Sequence, residues 1–180
     1  MHLFGTVIPL PLTSVGFAYG VHENITINSG AYITEALFGV IHLDLGATFG
    51  IIKPDGFIPG ISVSPTFAFM LDVWQKNFRF YPVVDANLYW NVSERKDIAY
   101  LGLSNWFEMA TVRADGAPQK NFWMPSLNAG YTFSLNKWLL TAEVRYMGFH
   151  LNSKNLVPDY VGIGDNGAIG VYLSAAMLFK

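Results

Sequence analysis

The chain has no cysteine, few charged side chains and no long uninterrupted apolar run. Without cysteine there is no disulfide framework, no thiolate zinc site and no cysteine nucleophile. Charged residues make up 13% of its 180 residues, about half the share of a typical soluble domain. No apolar stretch reaches the ~18 residues of a transmembrane helix. These absences leave two classes of protein, an unusually apolar soluble β protein or a transmembrane β-barrel.

The chain also lacks any cluster of one charge sign. Its net charge is −2, and no basic stripe or arginine-rich helix is present, so nucleic acid is not expected as a partner. Residues 1–3 carry neither the positive start nor the apolar run of an export signal. For a protein that crosses an inner membrane, we therefore expect the signal to have been removed from this numbering.

What the sequence does contain is a two-residue alternation along nearly its whole length. Between residues 61 and 73, large apolar side chains alternate with small polar ones. Similar segments predict strands near 2–10, 13–22, 25–34, 40–52, 60–73, 78–91, 98–110, 122–135, 138–150 and 167–180. This pattern predicts an all-β, antiparallel, up-and-down transmembrane β-barrel of about ten strands, with eight as the alternative. We expect residues 1–180 to form a single domain.

The few charges within the predicted strands lie on the parity opposite to the apolar face. In a soluble sandwich the apolar face points inward and the charged face meets water. A barrel in lipid reverses this arrangement. Because the polar faces here carry small residues and isolated charges, we expect them to line a lumen. The expected polar network comprises Asp44, Asp72, Arg79, Asp85, Asn87, Glu108, Glu143 and Arg145.

Two interpretations of this network remain open. A turn at residues 74–77 would place Asp72 opposite Arg79 as a cross-strand ion pair, and Glu143 shares a face with Arg145. Ion pairs of this kind fill the interior of a narrow barrel. The same charges would otherwise form a selectivity constriction, where the surplus of acid favours cations. The small and nearly balanced number of charges favours the filled interior.

Aromatic residues of the apolar parity cluster near the strand ends, as in the interfacial girdles of membrane barrels. The alternative is that they belong to an ordinary β core. With a periplasmic C-terminus, the long connections 111–121 and 151–166 lie outside and short turns such as 136–137 lie inside. The expected interface aromatics are Phe80, Trp90, Trp123, Phe133, Trp138, Tyr146 and Phe179.

No constellation of side chains predicts a catalytic or metal site. His42 and Asp44 share a face, but the sequence indicates no third ligand, so we expect no metal or cofactor. His150 lies near the predicted outer rim, a position similar to that of the histidine in lipid A-modifying barrel enzymes. Such chemistry needs a nucleophile beside its base, and the nearest serine, Ser153, lies in a predicted loop. A lipid-modifying enzyme therefore remains an alternative to the expected non-enzyme.

Two segments, residues 81–90 (Tyr-Pro-Val-Val-Asp-Ala-Asn-Leu-Tyr-Trp) and 103–108 (Leu-Ser-Asn-Trp-Phe-Glu), resemble strings in uncharacterised outer-membrane proteins of the Bacteroidetes. The resemblance implies a small barrel in a Gram-negative outer membrane and supplies no catalytic motif. Outer-membrane barrels usually end on an aromatic residue, whereas here Phe179 is followed by Lys180.

The sequence therefore predicts a non-enzymatic outer-membrane barrel, with a structural or accessory role in a larger outer-membrane complex. Its expected partners are outer-membrane lipid, lipopolysaccharide and other outer-membrane proteins. The alternatives are a narrow, porin-like channel for small polar solutes or cations, the lipid-modifying enzyme, and a soluble β protein that binds an apolar ligand.

Overall fold

The computed structural model describes residues 13–112, 116–153 and 162–179, together with the backbone of two short strands near the start of the chain. Within this part the protein is almost entirely β. The strands are β1 (His2–Leu3), β2 (Thr6–Val7), β3 (Ser14–His22), β4 (Ile25–Tyr32), β5 (Val40–Ile52), β6 (Gly60–Asp72), β7 (Asn77–Asn91), β8 (Ile98–Phe107), β9 (Trp123–Leu135), β10 (Trp138–Asn152) and β11 (Asn166–Met177). A helix, α1 (Ile33–Leu37), lies between β4 and β5.

Strands β3 to β11 form one nine-stranded sheet in which the spatial order follows the chain order. Neighbouring strands are antiparallel, as in the hairpins β3–β4, β9–β10 and β10–β11. The predicted all-β, antiparallel, up-and-down architecture is therefore confirmed. The first predicted strand, 2–10, lies partly outside the described residues. Its described parts, β1 and β2, pair with each other as a separate two-stranded sheet.

The predicted strands 98–110 and 167–180 end three residues early, at Phe107 and Met177. A difference in the kind of structure occurs where β4 ends. Residues 33–34 were expected in the strand but begin α1. The reason is local hydrogen bonding: the backbone N–H of Thr13 donates to Thr34 Oγ1 at 2.8 Å, and the N–H of Ile33 donates to the carbonyl of Thr13 at 2.8 Å. These bonds replace the continued strand ladder. The helix is followed by Gly39, whose φ of 78° suits glycine.

Because successive strands are antiparallel, their connections alternate between the two ends of the sheet. Connections at one end are 2 to 7 residues long and comprise 23–24, 53–59, 92–97 and 136–137. Those at the other end are 4 to 15 residues long and comprise 33–39, 73–76, 108–122 and 153–165. Asn136 has a φ of 54°, a conformation that two-residue hairpin turns require. Long connections thus gather at one end, as the sequence indicated.

The chain packs as two compact units. Unit 1 contains Met1–Thr48, Pro65–Val83 and Trp106–Trp123, and unit 2 contains Phe49–Ser64, Val84–Asn105 and Met124–Lys180. The long strands β6 and β7 contribute residues to both. No helix in the described ranges is long and apolar enough to cross a bilayer.

Side-chain burial has the opposite sense to that of a soluble sheet protein. In β6, Ala68 is 2% exposed while its neighbours Phe67 and Phe69 are 48% and 37% exposed. Among the described residues, the buried hydrophobic side chains are small: Ala68, Val83 and Ala168. Large exposed apolar side chains occur on every strand of the nine-stranded sheet. The large apolar parity therefore faces the surroundings, and small or polar residues face the protein.

Glycines on the polar parity make room for tyrosines. Gly130 on β9 lies against the ring of Tyr100 on β8, and Gly60 lies against the ring of Tyr89. A Cβ added at Gly130 would lie 2.6 Å from Tyr100 Cε1, inside van der Waals contact. These tyrosine rings therefore fill the interior because the residues opposite them are glycines, which have no side chain.

We predict that Gly130→Ala destabilises the protein by about 1–3 kcal/mol, because the Tyr100 ring must shift to admit the methyl group. The measurement is the free energy of unfolding in urea of the purified protein. Gly20→Ala on β3 is the control, since a Cβ there meets no atom within 4 Å. Equal losses for the two variants would contradict the close-packing argument.

Candidate functional site

The polar cluster of unit 1 is built on an ion pair between Arg79 on β7 and Glu108, which directly follows β8. Arg79 Nη1 lies 3.1 Å from Glu108 Oε2, and each side chain is 13% exposed. Arg79 Nη2 also donates to the carbonyl of Val112 at 3.0 Å. Glu108 Oε1 accepts from the N–H of Ala110 at 2.7 Å. Both charged groups are thus paired and held by the backbone of the following connection.

The predicted ion pair between Asp72 and Arg79 is wrong. Asp72 Oδ1 accepts the backbone N–H groups of Trp74 at 2.9 Å and Gln75 at 2.8 Å. An aspartate that ends a strand readily caps the following turn in this way. The carboxylate is therefore committed to the turn 73–76, and Arg79 takes its partner, Glu108, from the far end of β8.

His42 on β5 has an acidic partner that the sequence did not indicate. Its Nδ1 lies 2.8 Å from Glu35 Oε2 on α1, and its ring stacks on Tyr32 with centroids 3.9 Å apart. His42 therefore pairs with Glu35, a residue outside the predicted polar network. Asp44 faces Gly30, where an added Cβ would lie 2.7 Å from its Oδ2. In the part of the chain that the structure describes, no three His, Cys, Asp or Glu side chains form a group able to hold a metal ion.

The polar cluster of unit 2 is centred on Glu143 of β10. Its Oε2 accepts from the hydroxyl of Tyr100 at 2.8 Å and from Asn128 Nδ2 at 3.2 Å. Its Oε1 accepts from Arg145 Nε at 3.1 Å and Nη2 at 2.8 Å. The guanidinium of Arg145 also lies over the ring of Tyr172, 5.1 Å from its centroid. Glu143 is thus fully engaged by donors from β8, β9 and its own strand.

Asp85 and Asn87 of β7 lie at the edge of this second cluster. Asp85 lies beside the hydroxyl of Ser104 and within electrostatic reach of Arg145 and Glu143. The amide of Asn87 lies against Gly102, which also faces the amide of Asn128.

Sequence reasoning missed the uncharged members of this cluster, Tyr100, Ser104, Asn128 and Tyr172. Tyr100 and Ser104 share the parity of Glu108, which directly follows their strand. Asn128 and Tyr172 lie on strands without charged residues, on the parity opposite to the exposed Leu127 and Leu173. Parity alone assigns such residues to the inward face but does not distinguish them from other uncharged strand residues. The predicted network thus separates into one cluster in each unit, with Asp44 and Asp72 in neither.

Asp97, between β7 and β8, is a buried carboxylate that the sequence analysis also missed. It is 1% exposed. Its Oδ1 accepts the backbone N–H of Ser134 at 2.8 Å, and its Oδ2 accepts from Tyr131 at 3.3 Å and Arg95 at 3.1 Å. The Ser134 hydrogen bond lowers the pKa of Asp97, against the opposing effect of burial, with help from Ser93 and Arg95. Asp97 therefore clamps the connection 92–97 to β9.

The expected interface aromatics are accessible to different degrees. Trp123, Phe133, Trp138 and Phe179 are exposed, whereas Phe80, Trp90 and Tyr146 are half-buried. Trp90 Nε1 donates to the carbonyl of Phe57 at 3.1 Å, and the Tyr146 hydroxyl donates to the carbonyl of Asn166 at 3.1 Å. These two rings therefore direct their polar ends toward backbone at or near the strand ends.

Ser153, the serine nearest to His150 in sequence, directs its hydroxyl to the backbone. The His150 ring packs edge-on against Phe149, with centroids 6.0 Å apart. The hydroxyl of Ser153 donates to the carbonyl of Gly167 at 2.7 Å. Its proton thus lies on a backbone carbonyl rather than on the imidazole.

We predict that Glu108→Gln lowers the free energy of unfolding by about 3–5 kcal/mol, because it leaves the guanidinium of Arg79 buried without a counter-charge. Urea unfolding of the purified protein measures the loss. Glu94→Gln makes the same chemical change at an exposed position and should cost less than about 0.5 kcal/mol. A double variant, Arg79→Met with Glu108→Leu, should recover much of the lost stability. A loss no larger than that of Glu94→Gln would contradict the ion-pair argument.

We predict that Asp97→Asn weakens the protein at neutral pH and flattens its acid sensitivity. Because folding lowers the pKa of Asp97, its contribution is present above the unfolded-state pKa and is lost as pH falls below about 4. The unfolding midpoint should therefore differ between wild type and variant at pH 7 and converge in acid. A constant difference from pH 7 to pH 3 would rule out this linkage.

Comparison of the chain with known protein families, with curated proteins and with solved structures gives no match in any of the three. The resemblance to Bacteroidetes outer-membrane proteins therefore stays a prediction from the two segments that carry it.

Proposed function

We propose that the chain is a transmembrane β-barrel in the outer membrane of a Gram-negative bacterium, with a non-enzymatic role as a structural or accessory subunit of a larger complex. The observation that carries the proposal is the exposure of large apolar side chains on every strand of the sheet. In water, each such side chain would forgo about 1.5–3 kcal/mol of burial free energy. Hydrocarbon as the surrounding solvent removes that penalty.

Membrane residence would also require the sheet to close. Unpaired N–H and C=O groups at an open sheet edge are not tolerated in hydrocarbon, since no water is present to satisfy them. We therefore include a barrel of about ten strands, with eight as the alternative, in the proposal. The long connections gathered at one end of the sheet support an orientation with that end outside the cell and the short turns in the periplasm.

The accessory role is supported by the state of the polar clusters. Arg79 is paired with Glu108, and Arg145 is paired with Glu143, with tyrosine rings filling space opposite glycines. Side chains locked in this way favour a filled interior over the alternative of a narrow channel.

Exposed apolar side chains in the connections give a second support for an accessory role. They include Leu37 and Trp74 in unit 1 and the fully exposed Phe57 in unit 2. Apolar groups exposed at such positions often mark contacts with other proteins. We propose other outer-membrane proteins, lipid and lipopolysaccharide as partners.

The first experiment separates membrane from aqueous residence. The protein should partition into the outer-membrane fraction, need detergent for extraction, and migrate faster on a gel when unheated than when boiled. Recovery of the folded chain in the aqueous fraction without detergent would overturn the proposal and favour a soluble β protein. Crosslinking in native membranes then tests the accessory role, which fails if only the lone chain is recovered.

A substitution on the apolar face gives a sharper test. Leu173 on β11 is 81% exposed. We predict that Leu173→Arg destabilises the protein in lipid vesicles by about 2–4 kcal/mol, because the charge is placed in hydrocarbon. A soluble protein would tolerate the same change within about 0.5 kcal/mol. The control is Gln75→Arg in the exposed turn 73–76. Equal unfolding free energies for both variants would contradict membrane burial of this face.

A further inference from the structure

The connection 53–59, between β5 and β6, presents the most exposed large apolar side chain among the described residues. Phe57 is 100% exposed, and its neighbour Ile58 is 61% exposed. An apolar side chain left in water forgoes the favourable free energy of burial. Two such side chains side by side therefore indicate a surface that this connection contacts.

The tip of the connection is a defined turn. The backbone N–H of Asp55 donates to the carbonyl of Ile58 at 3.0 Å, and the N–H of Ile58 donates to the carbonyl of Asp55 at 2.9 Å. Gly56, the first residue between them, has a φ of 54°, which suits a two-residue turn of this kind. A proline on each side restricts the backbone further. The position of Phe57 is therefore fixed by the backbone around it.

Two consecutive residues of β7 show on which side of the sheet the turn lies. The hydroxyl of Tyr89, on the inward parity, donates to the carbonyl of Ile52 at 3.4 Å. Trp90 has the opposite parity, that of the exposed Leu88, and its Nε1 donates to the carbonyl of Phe57 at 3.1 Å. Because successive side chains of a strand project to opposite faces, the indole of Trp90 lies on the outward face. The turn is therefore bent toward the outward face of the sheet.

The outward face near the turn is apolar. Ile51, the outward-facing residue next to the end of β5, is 62% exposed, and Leu101 on β8 is 53% exposed. Both belong to unit 2, as the turn does. Phe57 and Ile58 therefore extend the apolar outer face of these strands beyond the strand ends.

In a membrane, the polar groups of this region would set the depth of the turn. Trp90 is half-buried, with its ring on the outward face and its Nε1 bonded to backbone. Rings of this kind lie where hydrocarbon meets the polar head groups. Lys53 and Asp55 are exposed in the same connection, and charged side chains are costly in the middle of a bilayer. The turn therefore matches the border between head groups and hydrocarbon.

We propose that Phe57 and Ile58 form an interfacial anchor, which inserts into the head-group border of a lipid bilayer beside Trp90. Apolar side chains that enter this border strengthen membrane binding in proportion to the area they bury. The anchor rests on the membrane location proposed above, and it assigns Phe57 to lipid among the partners proposed there. A water-soluble partner protein fits less well, because the bond to Trp90 bends the turn toward the apolar face and not away from the sheet.

The absence of cysteine from the chain allows a nitroxide to be attached at single chosen positions. Phe57→Cys is labelled and reconstituted as the full chain in phosphatidylcholine vesicles. Power-saturation electron paramagnetic resonance then compares the accessibility of the label to oxygen, which concentrates in hydrocarbon, with its accessibility to a water-soluble nickel complex. The aqueous control is Glu94→Cys, in the exposed connection at the same end of the sheet. The lipid control is Leu173→Cys, on the outward face of β11.

We expect the oxygen-to-nickel ratio at position 57 to exceed that at position 94 by about threefold, because the label reaches the acyl boundary. Equal ratios at positions 57 and 94 would overturn the anchor. If position 173 then lies in lipid, the membrane proposal stands and only the anchor fails. If position 173 is aqueous as well, the membrane proposal itself fails.

The same label distinguishes lipid from a protein partner. A label at position 57 that is aqueous in vesicles, but shielded from both reagents in native outer membranes, would overturn the anchor and assign Phe57 to a protein. If Phe57→Cys does not fold, Ile58→Cys decides the question, since the turn bonds of residue 58 are made by its backbone.

Discussion

The structure depends on one constraint: polar side chains are directed inward, where water cannot satisfy them, so they must satisfy one another. Glu143 shows the result, with donors from Tyr100, Asn128 and Arg145 around one carboxylate. Arg79 shows it again, with Glu108 and the carbonyl of Val112. In the described ranges the buried hydrophobic side chains are few and small, so an apolar core contributes little to holding the sheet together. Its cohesion must come from backbone ladders and from these polar contacts.

Much of the fold could be predicted from the sequence because the strand alternation is local. The parity of Phe67 and Ala68 gives the exposed and buried faces of β6 without any knowledge of its neighbours. The prediction that failed concerned which side chains pair with each other. Asp72 is close in sequence to Arg79 across a turn, and proximity suggested an ion pair. The backbone N–H groups of Trp74 and Gln75 bind the Asp72 carboxylate at lower entropic cost than a bond that would have to immobilise the long side chain of Arg79.

The candidate site was harder to predict than the fold because its uncharged members carry no signal of their own. Ser104 and Asn128 are ordinary strand residues in sequence, and only their neighbours in space, Asp85 and Glu143, give them a role. His42 illustrates the same limit, because its partner Glu35 belongs to a helix where the alternation predicted the end of a strand. Charged residues on a marked parity can be found from sequence. The neutral groups that complete their bonding require three-dimensional structure.

Gly39 joins two connections of unit 1 that are distant in sequence. The ring of Trp74 packs on its Cα, and the N–H of Val73 donates to its carbonyl at 2.9 Å. These contacts hold the β4–β5 connection, including α1, against the β6–β7 turn. A protein that binds the exposed indole of Trp74 would therefore also restrict the motion of the short helix, so one contact would order both connections.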